Sequence, residues 1–369
     1  MKKRFRAGVI GRTGRGNYGH GLDSVYLQTD DIEIVAVADE DAQGLEAAGK
    51  RLGVSNLYPD FHEMLEKERF DIVSICPRWV EPHLEMVQAV AAAGACVFLE
   101  KPMSQTLAQA DAMIEACEQA RVTIGIAHQG RMHAAVHHAK RLLREGAIGE
   151  VLSVRMRSKE DTRGGGEDMM VLGTHLFDTL RFLLDVNPTW VQSHVATEKG
   201  HPVTKANATD GPEELGLIAG DRIHAIFGLG NGVTATFESR RNQNDASGRM
   251  GLHIFGSEGI MLVHDGSQQI RIYEAPFWRP DQTAPIRNVS EEALAALPAE
   301  KNLSSKDRQM AANVAIVREI LTAKEEGRRP YNSGHDGRWS MEMIHGVYAS
   351  HLQGRKVELP LASRCHPLA

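Results

Sequence analysis

The sequence predicts an α/β protein: an N-terminal Rossmann doubly wound parallel sheet, followed by a C-terminal α/β domain with a mostly antiparallel open sheet. Short apolar strands alternate with helices in the first third, and a glycine-rich turn follows the first strand. Beyond about residue 150 the strands lengthen and are joined by hairpin signals. A chain of 369 residues exceeds one ordinary core. We therefore expect an NAD-binding domain over 1–127 and a substrate-binding and oligomerisation domain over 128–369.

The first domain reads as strands separated by helical crossovers, the pattern of a parallel sheet. The predicted strands are Phe5–Ile10, Ile32–Ala38, Ile72–Ile75, Cys96–Leu99 and Val122–Ala127. The predicted helices are Leu22–Gln28, a helix capped by Asp60 and running through Glu68, Pro82–Ala93, which ends at Gly94, and Leu107–Ala120.

The second domain begins with strands and ends with two long helices. The predicted strands are Val151–Arg157, Trp190–Thr197, Arg222–Leu229, Val233–Ser239, Gly251–Phe255 and Ile260–Val263. Gly230-Asn231-Gly232 and Gly256-Ser257-Glu258-Gly259 are the hairpin turns that join the last two pairs. The predicted helices are Lys306–Glu326 and Asp336–Leu352, residues 279–305 are expected to be rich in loops, and 355–369 form an extended tail.

Composition indicates a soluble cytoplasmic protein. The chain is 42% hydrophobic and 24% charged with a net charge of −6, and no basic run indicates nucleic acid as a partner. No apolar run approaches the roughly 20 residues that cross a bilayer, and the basic start is followed by an apolar stretch too short for a signal peptide. The four cysteines lack paired metal or redox spacing, so we expect free thiols.

A glycine-rich turn and an acidic strand end favour a dinucleotide cofactor. Backbone N–H groups of such a turn can approach a pyrophosphate at a helix N-terminus, and the residues assigned to it are Gly11, Thr13, Gly14, Arg15 and Gly16. The spacing departs from G-x-G-x-x-G, so a plain tight turn is the alternative. Asp39 ends the second strand, where an acid binds the adenosine ribose. Glu40 and Asp41 would repel a 2′-phosphate, which favours NAD over NADP; the alternative is a solvated helix start.

Lys101 lies in Glu100-Lys101-Pro102, directly after the strand Cys96–Leu99. Ligands of open α/β sheets bind at this carboxyl edge, so the lysine can reach a cofactor and a substrate hydroxyl. Pro102 fixes the backbone, and Glu100 can pair with a cation or the nicotinamide carboxamide. The alternative is a surface lysine before a helix.

His175 and Asp178 stand at i and i+3 of a predicted helix, where a carboxylate can orient an imidazole that acts as a general base. A buried histidine satisfied by Asp178 is the structural alternative. Gly164-Gly165-Gly166 reads as a flexible loop that brings Glu167 and Asp168 near this histidine. His133 and His137 have a zinc-compatible spacing but no evident third ligand, so we predict no metal.

These motifs together resemble the Gfo/Idh/MocA family of NAD(P)-dependent sugar and cyclitol oxidoreductases, over nearly the whole chain. The resemblance implies that Lys101 and His175 contact the reacting hydroxyl and that Arg131 lies near the nicotinamide. It also implies dimers or tetramers formed through the C-terminal sheet. Pro77 is counted with the cofactor-binding residues, although its loop, Pro77–His83, is two residues longer than usual.

One departure from the family pattern leaves the reaction open. Many members carry an aspartate four residues before the histidine, where this chain has Val171, and Glu167 or Asp168 is the candidate substitute. We expect an NAD-dependent dehydrogenase acting on a secondary hydroxyl of a sugar, glycoside or cyclitol. The alternatives are a redox-neutral NAD-dependent glycosidase of the same family and a non-catalytic NAD-binding sensor.

Overall fold

The protein is described from a computed structural model that covers residues 4–230, 232–243, 250–264, 269–276, 283–296 and 303–369. It divides into two compact units. The first unit comprises residues through Gln129, Pro212–Gly216 and Ser305–Arg338, and the second comprises Gly130–Gly211, Leu217–Ser304 and Trp339–Ala369.

The first unit is built on a six-stranded parallel sheet with the order β3-β2-β1-β4-β5-β6, which confirms the predicted Rossmann topology. Its strands are β1 (Phe5–Ile10), β2 (Ile32–Ala38), β3 (Leu57–Tyr58), β4 (Ile72–Ile75), β5 (Cys96–Leu99) and β6 (Ile124–Ile126). The central strands β4 and β5 are buried along their whole length, as expected for a sheet with both faces covered.

The helices of the first unit begin at the caps that the sequence supplies. They are α1 (Ala42–Leu52), α2 (Phe61–Lys67), α3 (His83–Ala92) and α4 (Leu107–Gln119), with α9 (Ser305–Glu325) joining them from late in the chain. Asp60 caps α2 by accepting from the His62 N–H at 2.9 Å, and Thr106 forms a capping box with Gln109 at the start of α4.

The predicted helix Leu22–Gln28 is wrong. Residues 11–31 are all described, and they contain two short 3-10 turns, Gly19–Gly21 and Val25–Gln28, instead of an α-helix. The Leu27 and Thr29 N–H groups donate to the carbonyls three residues earlier, of Ser24 and Tyr26, and Thr29 is extended (φ −131°, ψ 136°), so the segment forms a 3-10 turn and then ends. The apolar spacing of Leu22, Val25 and Tyr26 reflects burial of these turns in the core.

The second unit contains a nine-stranded, mostly antiparallel sheet with the order β16-β15-β14-β13-β7-β12-β11-β8-β17 among the described strands. Its members are β7 (Val151–Arg157), β8 (Pro188–Ala196), β11 (Arg222–Leu229), β12 (Thr234–Arg240), β13 (Gly251–Gly256), β14 (Ile260–His264), β15 (Gln269–Tyr273), β16 (Ile286–Asn288) and β17 (Val357–Glu358). A separate two-stranded ribbon pairs β9 (Thr209–Asp210) with β10 (Leu217–Ile218). Both hairpin pairings are confirmed, although Asn231 of the first turn lies outside the described residues.

Helices cover one face of this second sheet. They are α5 (Ala134–Arg144), α6 (Gly166–Asp168), α7 (Thr174–Leu184), which follows α6 through a π-helical turn Met169–Gly173, α8 (Val289–Ala296) and α10 (Gly334–Gln353). Phe177 of α7 packs on Phe227 and Phe237 of the sheet, with ring centroids 5.5 and 4.8 Å away.

Two regions expected to lack regular structure contain some. The described part of region 279–305 contains the strand β16 and the helix α8, and the C-terminal tail contains the strand β17. No helix within the described ranges is long and apolar enough to span a membrane.

Candidate functional site

The glycine loop, Gly11–Gly16, leaves the carboxyl end of β1 and closes on itself: the Asn17 N–H donates to the Arg12 carbonyl at 2.9 Å. Gly16 has φ 92°, and a Cβ there would lie 2.5 Å from the Arg78 backbone nitrogen, so only glycine fits this close approach. The Arg78 N–H donates to the Gly16 carbonyl at 3.3 Å, which brings the loop against the segment that begins at Pro77. Other N–H groups of the loop also donate within the protein: those of Gly11 and Arg15 to the carbonyls of Ala38 and Arg12, and that of Gly14 to the Asn17 side-chain oxygen.

Asp39, the residue directly after β2, accepts hydrogen bonds from the glycine loop. Its carboxylate accepts from the Thr13 hydroxyl at 2.7 Å, the Thr13 N–H at 3.1 Å and the Asp41 N–H at 3.0 Å. The side chain is buried, and burial next to Asp39 raises the pKa of the Tyr18 phenol. The structure brings Thr13 and Asp39 into contact, a contact that the sequence analysis did not predict, and Asp39 thereby organises the glycine loop.

A cavity of about 340 Å³ opens at the carboxyl ends of β1 and β2 in the first unit. It is lined by Gly11, Arg12, Asp39, Glu40, Asp60 and Glu85, with Ile10, Phe61 and Met86 supplying apolar walls. Arg12 donates to Glu40 at 2.8 Å and lies 3.6 Å from Glu81. A cavity with acidic and apolar walls beside the glycine loop lies where the adenosine half of a dinucleotide binds in Rossmann units.

Glu100 and Lys101 end β5, and both are nearly inaccessible to solvent: 0% and 6% exposed. One Glu100 oxygen accepts the Lys101 backbone N–H at 3.2 Å. Burial works to raise the pKa of Glu100, but the charge and hydrogen bond of His20, followed by the charge of Lys101, outweigh it and lower that pKa. Glu100 is therefore an ionised carboxylate inside the protein.

His20 is a partner of Glu100, through its Nδ1 and the Glu100 Oε1. The sequence analysis offered a cation or the nicotinamide carboxamide as the partner of Glu100 and did not identify this histidine. The signal available was a histidine four residues beyond the last glycine of the turn, between Gly19 and Gly21. The 80-residue separation of the pair hid the contact.

In the second unit, α7 carries His175 and Asp178, and the predicted helix and spacing are confirmed. The Asp178 carboxylate accepts two hydrogen bonds from Arg131, at 2.5 and 3.0 Å, and both side chains are buried. The Arg131 guanidinium also lies 5.1 Å over the Phe182 ring. The arrangement is a planar, bidentate ion pair that fixes the position of Asp178 on the helix of His175.

Glu167 and Asp168 differ in accessibility. Asp168 is fully buried, accepts from the Ser239 hydroxyl at 2.6 Å and the Glu160 N–H at 3.1 Å, and burial raises its pKa. Glu167 is partly exposed. The glycines before them are packed instead of forming the expected flexible loop: the Gly165 N–H donates to Ser239, and a Cβ on Gly164 would meet the Arg241 backbone at 2.3 Å.

The order of the parallel strands and the loop–carboxylate arrangement at their carboxyl edge define the class, a protein with a dinucleotide-binding Rossmann unit. The model described as "Oxidoreductase family, NAD-binding Rossmann fold" matches residues 5–128. The model "GFO/IDH/MocA C-terminal domain" matches residues 136–262. The chain belongs to the Gfo/Idh/MocA oxidoreductase family, as its motifs predict.

Named relatives are carbohydrate and cyclitol oxidoreductases. The chain is 28% identical to a D-apiose dehydrogenase of Paraburkholderia graminis over 97% of this chain and 90% of the relative. It is 26% identical to a 1,5-anhydro-D-fructose reductase of Ensifer adhaerens over 89% and 91% of the two chains. Among solved structures, a levoglucosan dehydrogenase in complex with NADH and L-sorbose shares the fold with a TM-score of 0.77 at 20% identity, covering 97% and 99% of the two chains.

Proposed function

We propose that this protein is an NAD-dependent oxidoreductase that transfers hydride from a secondary hydroxyl of a sugar, glycoside or cyclitol to NAD. The observation that carries the proposal is the nearly buried Lys101 beside an ionised Glu100 at the carboxyl edge of the Rossmann sheet. Family membership and the carbohydrate relatives support the substrate class.

The cofactor is assigned to residues of the first unit. The loop formed by Gly11, Gly14, Arg15 and Gly16 is assigned to the pyrophosphate, with Thr13 positioned by Asp39 and with Pro77 and Glu100 alongside. The N–H groups of Gly11, Gly14 and Arg15 donate to protein acceptors in this structure, so the loop would exchange those bonds to bind the pyrophosphate through them. The carboxylates of Asp39 and Glu40 line the adenosine cavity, and they favour a free 2′-hydroxyl over a 2′-phosphate. When bound, NAD supplies the hydride acceptor.

The protein's part in the chemistry is proton transfer and charge stabilisation. His175 accepts the hydroxyl proton, directly or through Lys101, and the Lys101 ammonium stabilises the developing alkoxide. The Arg131–Asp178 ion pair fixes the position of α7, the helix that carries His175. Glu167 and Asp168 were also assigned to substrate binding. Glu167 is the one of the two that solvent and a substrate can reach, whereas Asp168 is buried and accepts a hydrogen bond from Ser239.

The assembly and cellular location are also assigned. The open face of the second sheet carries an exposed row across neighbouring strands that includes Gln192, Ile226 and Arg155. An apolar side chain within such a row suits a homodimer or homotetramer formed through this sheet. Free cysteines, three of them buried, suit the reducing cytoplasm.

The decisive experiment incubates the purified protein with NAD or NADP and a panel of aldoses, pyranosides and cyclitols, and records both nicotinamide reduction and freed sugar. Net NADH supports the dehydrogenase. Freed sugar without net NADH supports the redox-neutral glycosidase, which the Val171 departure keeps open. Cofactor binding with neither product supports the sensor.

Substitution of Lys101 tests the chemical role directly. Lys101→Ala is expected to lower kcat by about 10³-fold, because the alkoxide loses its charge partner, while the Kd for NADH changes less than threefold. Steady-state rates and NADH fluorescence titration measure the two effects. Lys67→Ala is the matched control, since Lys67 is an exposed lysine of α2 paired with Glu63. A loss of NADH binding with unchanged residual turnover contradicts the assignment.

A further inference from the structure

A second cavity of the first unit, of about 290 Å³, lies away from the glycine loop, and we call it the amino-edge cavity. It is formed where α4 and α9 end and β6 begins. Because β5 and β6 are parallel, this is the amino edge of the sheet, whereas the glycine loop leaves the carboxyl edge. The described residues that line it include none that lines the adenosine cavity. Its volume is close to the lower limit of small-molecule sites, roughly 300 Å³.

The floor of the amino-edge cavity is apolar. Its buried side chains come from α4, from β6 and the residues before it, and from the end of α9 and the segment that follows. They are Ile114, Cys117, Val122, Ile124, Ala323 and Pro330. Burial raises the pKa of the Cys117 thiol to about 12, so the thiol is neutral and adds to the apolar surface. An apolar group placed on this floor would be removed from water, which favours binding.

The rim of the same cavity is basic. Four cationic side chains line it, which are Arg121, Lys324, Arg328 and Arg329. Glu118 is the one carboxylate among the described lining residues, and it pairs with Arg329 at 3.6 Å and with His335 at 3.0 Å. Arg328 pairs with Glu319 and Glu326, which are not among these lining residues. Cationic side chains therefore outnumber carboxylates at the cavity.

Two of the rim cations, Arg121 and Lys324, have no carboxylate partner among the residues that the structure describes. The Lys324 ammonium donates to the Gly94 carbonyl at 3.3 Å, and both side chains are exposed. Positive charge that the protein does not neutralise is available to an anion that enters the cavity.

The backbone at Arg121 supports a role for its side chain. The residue follows α4 in a left-handed conformation with φ 55°. Its N–H donates to the Glu118 carbonyl at 3.1 Å, and the Val122 N–H donates to the Cys117 carbonyl at 2.9 Å, which closes the end of the helix. Glycine or asparagine normally occupies such a position, because a Cβ is unfavourable there. An arginine in its place is strained, and strained residues cluster at functional sites.

We propose that the amino-edge cavity binds a small organic anion with an apolar body, such as an aromatic carboxylate. The apolar body would cover the floor, and the carboxylate would lie at the rim, where Arg121 and Lys324 supply positive charge. Arginine suits this partner because its planar guanidinium can bind a carboxylate through two parallel hydrogen bonds. Binding here does not depend on the proposed dehydrogenase function, because no residue that lines this cavity has a part in that function.

The first experiment separates charge from shape. Ligand-observed NMR titration of the full chain compares 4-methylbenzoate with 4-methylbenzamide, an uncharged ligand of nearly the same shape. We expect the carboxylate to bind at least about tenfold more tightly than the amide at low ionic strength. This advantage should shrink in about 0.5 M NaCl, because salt screens exposed cations. Equal affinities of the two ligands, or no binding of 4-methylbenzoate at about 10 mM, overturn the proposal.

A double variant locates the binding site. Arg121→Gln combined with Lys324→Gln removes both unpaired cations and should weaken 4-methylbenzoate binding by about tenfold, whereas binding of the amide should change less than about twofold. Lys50→Gln combined with Arg69→Gln is the matched control, because it removes the same charge from two exposed side chains of the first unit outside this cavity. Equal weakening in the two double variants, or no weakening in the first, overturns the proposal.

Single variants keep the test independent of folding. Arg121→Gly suits the left-handed backbone, so it removes the guanidinium without adding strain. Lys324→Gln changes only an exposed side chain. Each is expected to weaken 4-methylbenzoate binding by about threefold, and thermal unfolding followed by circular dichroism shows that each variant folds. An affinity for 4-methylbenzoate that is unchanged in both folded variants overturns the proposal.

Discussion

Two buried carboxylates, one in each unit, are paired with cations in different ways. Asp178 faces Arg131, a permanent cation that is 4% exposed and bonded through two nitrogens. Glu100 faces His20, whose imidazole is one-third exposed. The first pair is closed off from solvent on both sides, and the second is open on the histidine side.

The difference teaches which buried carboxylate solvent can approach through its partner. An arginine keeps its charge at all accessible pH values and is buried with Asp178, so this pair supports α7, which carries His175. His20 connects the buried Glu100, which also accepts the Lys101 backbone N–H, to the surface. A closed internal support thus lies in the second unit, and a pair that solvent can reach lies in the first.

The largest effect is expected from breaking the closed pair. Asp178→Asn leaves a buried guanidinium without its counter-charge, which should lower the free energy of unfolding by about 3–5 kcal/mol. Urea denaturation at pH 7 measures the change. Asp185→Asn is the control: its carboxylate is 62% exposed in its pair with Lys140, so its loss should cost under about 1 kcal/mol. Equal losses of unfolding free energy in the two variants would show that burial does not make the Arg131–Asp178 pair more important for stability than the exposed Lys140–Asp185 pair.

A smaller, pH-dependent effect is expected from Glu100. Its pKa is lowered in the folded protein, so its ionisation stabilises the fold above the unfolded pKa of about 4.3, and this contribution is lost as pH falls through the folded value. Glu100→Gln should therefore differ from wild type most above about pH 5 and converge with it in acid. Unfolding free energies from pH 3 to 7 test this, with the exposed Glu325→Gln as control. A difference that does not vary with pH is incompatible with it.

The smallest effect concerns a third buried carboxylate, which the described contacts satisfy with uncharged donors. Asp39→Ala removes the acceptor for Thr13 and disorganises the glycine loop, so NAD binding should weaken by about tenfold, or about 1.4 kcal/mol, and discrimination against NADP should relax. Calorimetric titration with both cofactors measures this. Asp41→Asn retains the cap of α1 and should bind NAD within twofold of wild type. Unchanged affinity in Asp39→Ala would refute the ribose assignment.

The strands were the most predictable part of the fold. β1, β2, β4, β5, β7 and β11 begin and end where the sequence analysis places them, because each is a local apolar or alternating run bounded by turn residues. Local pattern failed between β1 and β2. There the spacing of Leu22, Val25 and Tyr26 suits an α-helix, but the backbone N–H groups bond carbonyls three residues earlier and the chain is extended again at Thr29.

The same division applies to the candidate site. The sequence alone determined the glycine loop, the acidic end of β2, Glu100-Lys101-Pro102 and the helical spacing of His175 and Asp178, because each is a short motif whose meaning depends on neighbouring residues. Only the tertiary structure decided which cation each buried carboxylate meets: His20 is 80 residues from Glu100, and Arg131 is 47 residues from Asp178. Local pattern cannot specify such partners, because the pairing arises from the path of the chain between them, and burial then makes an unpaired charge too costly to keep.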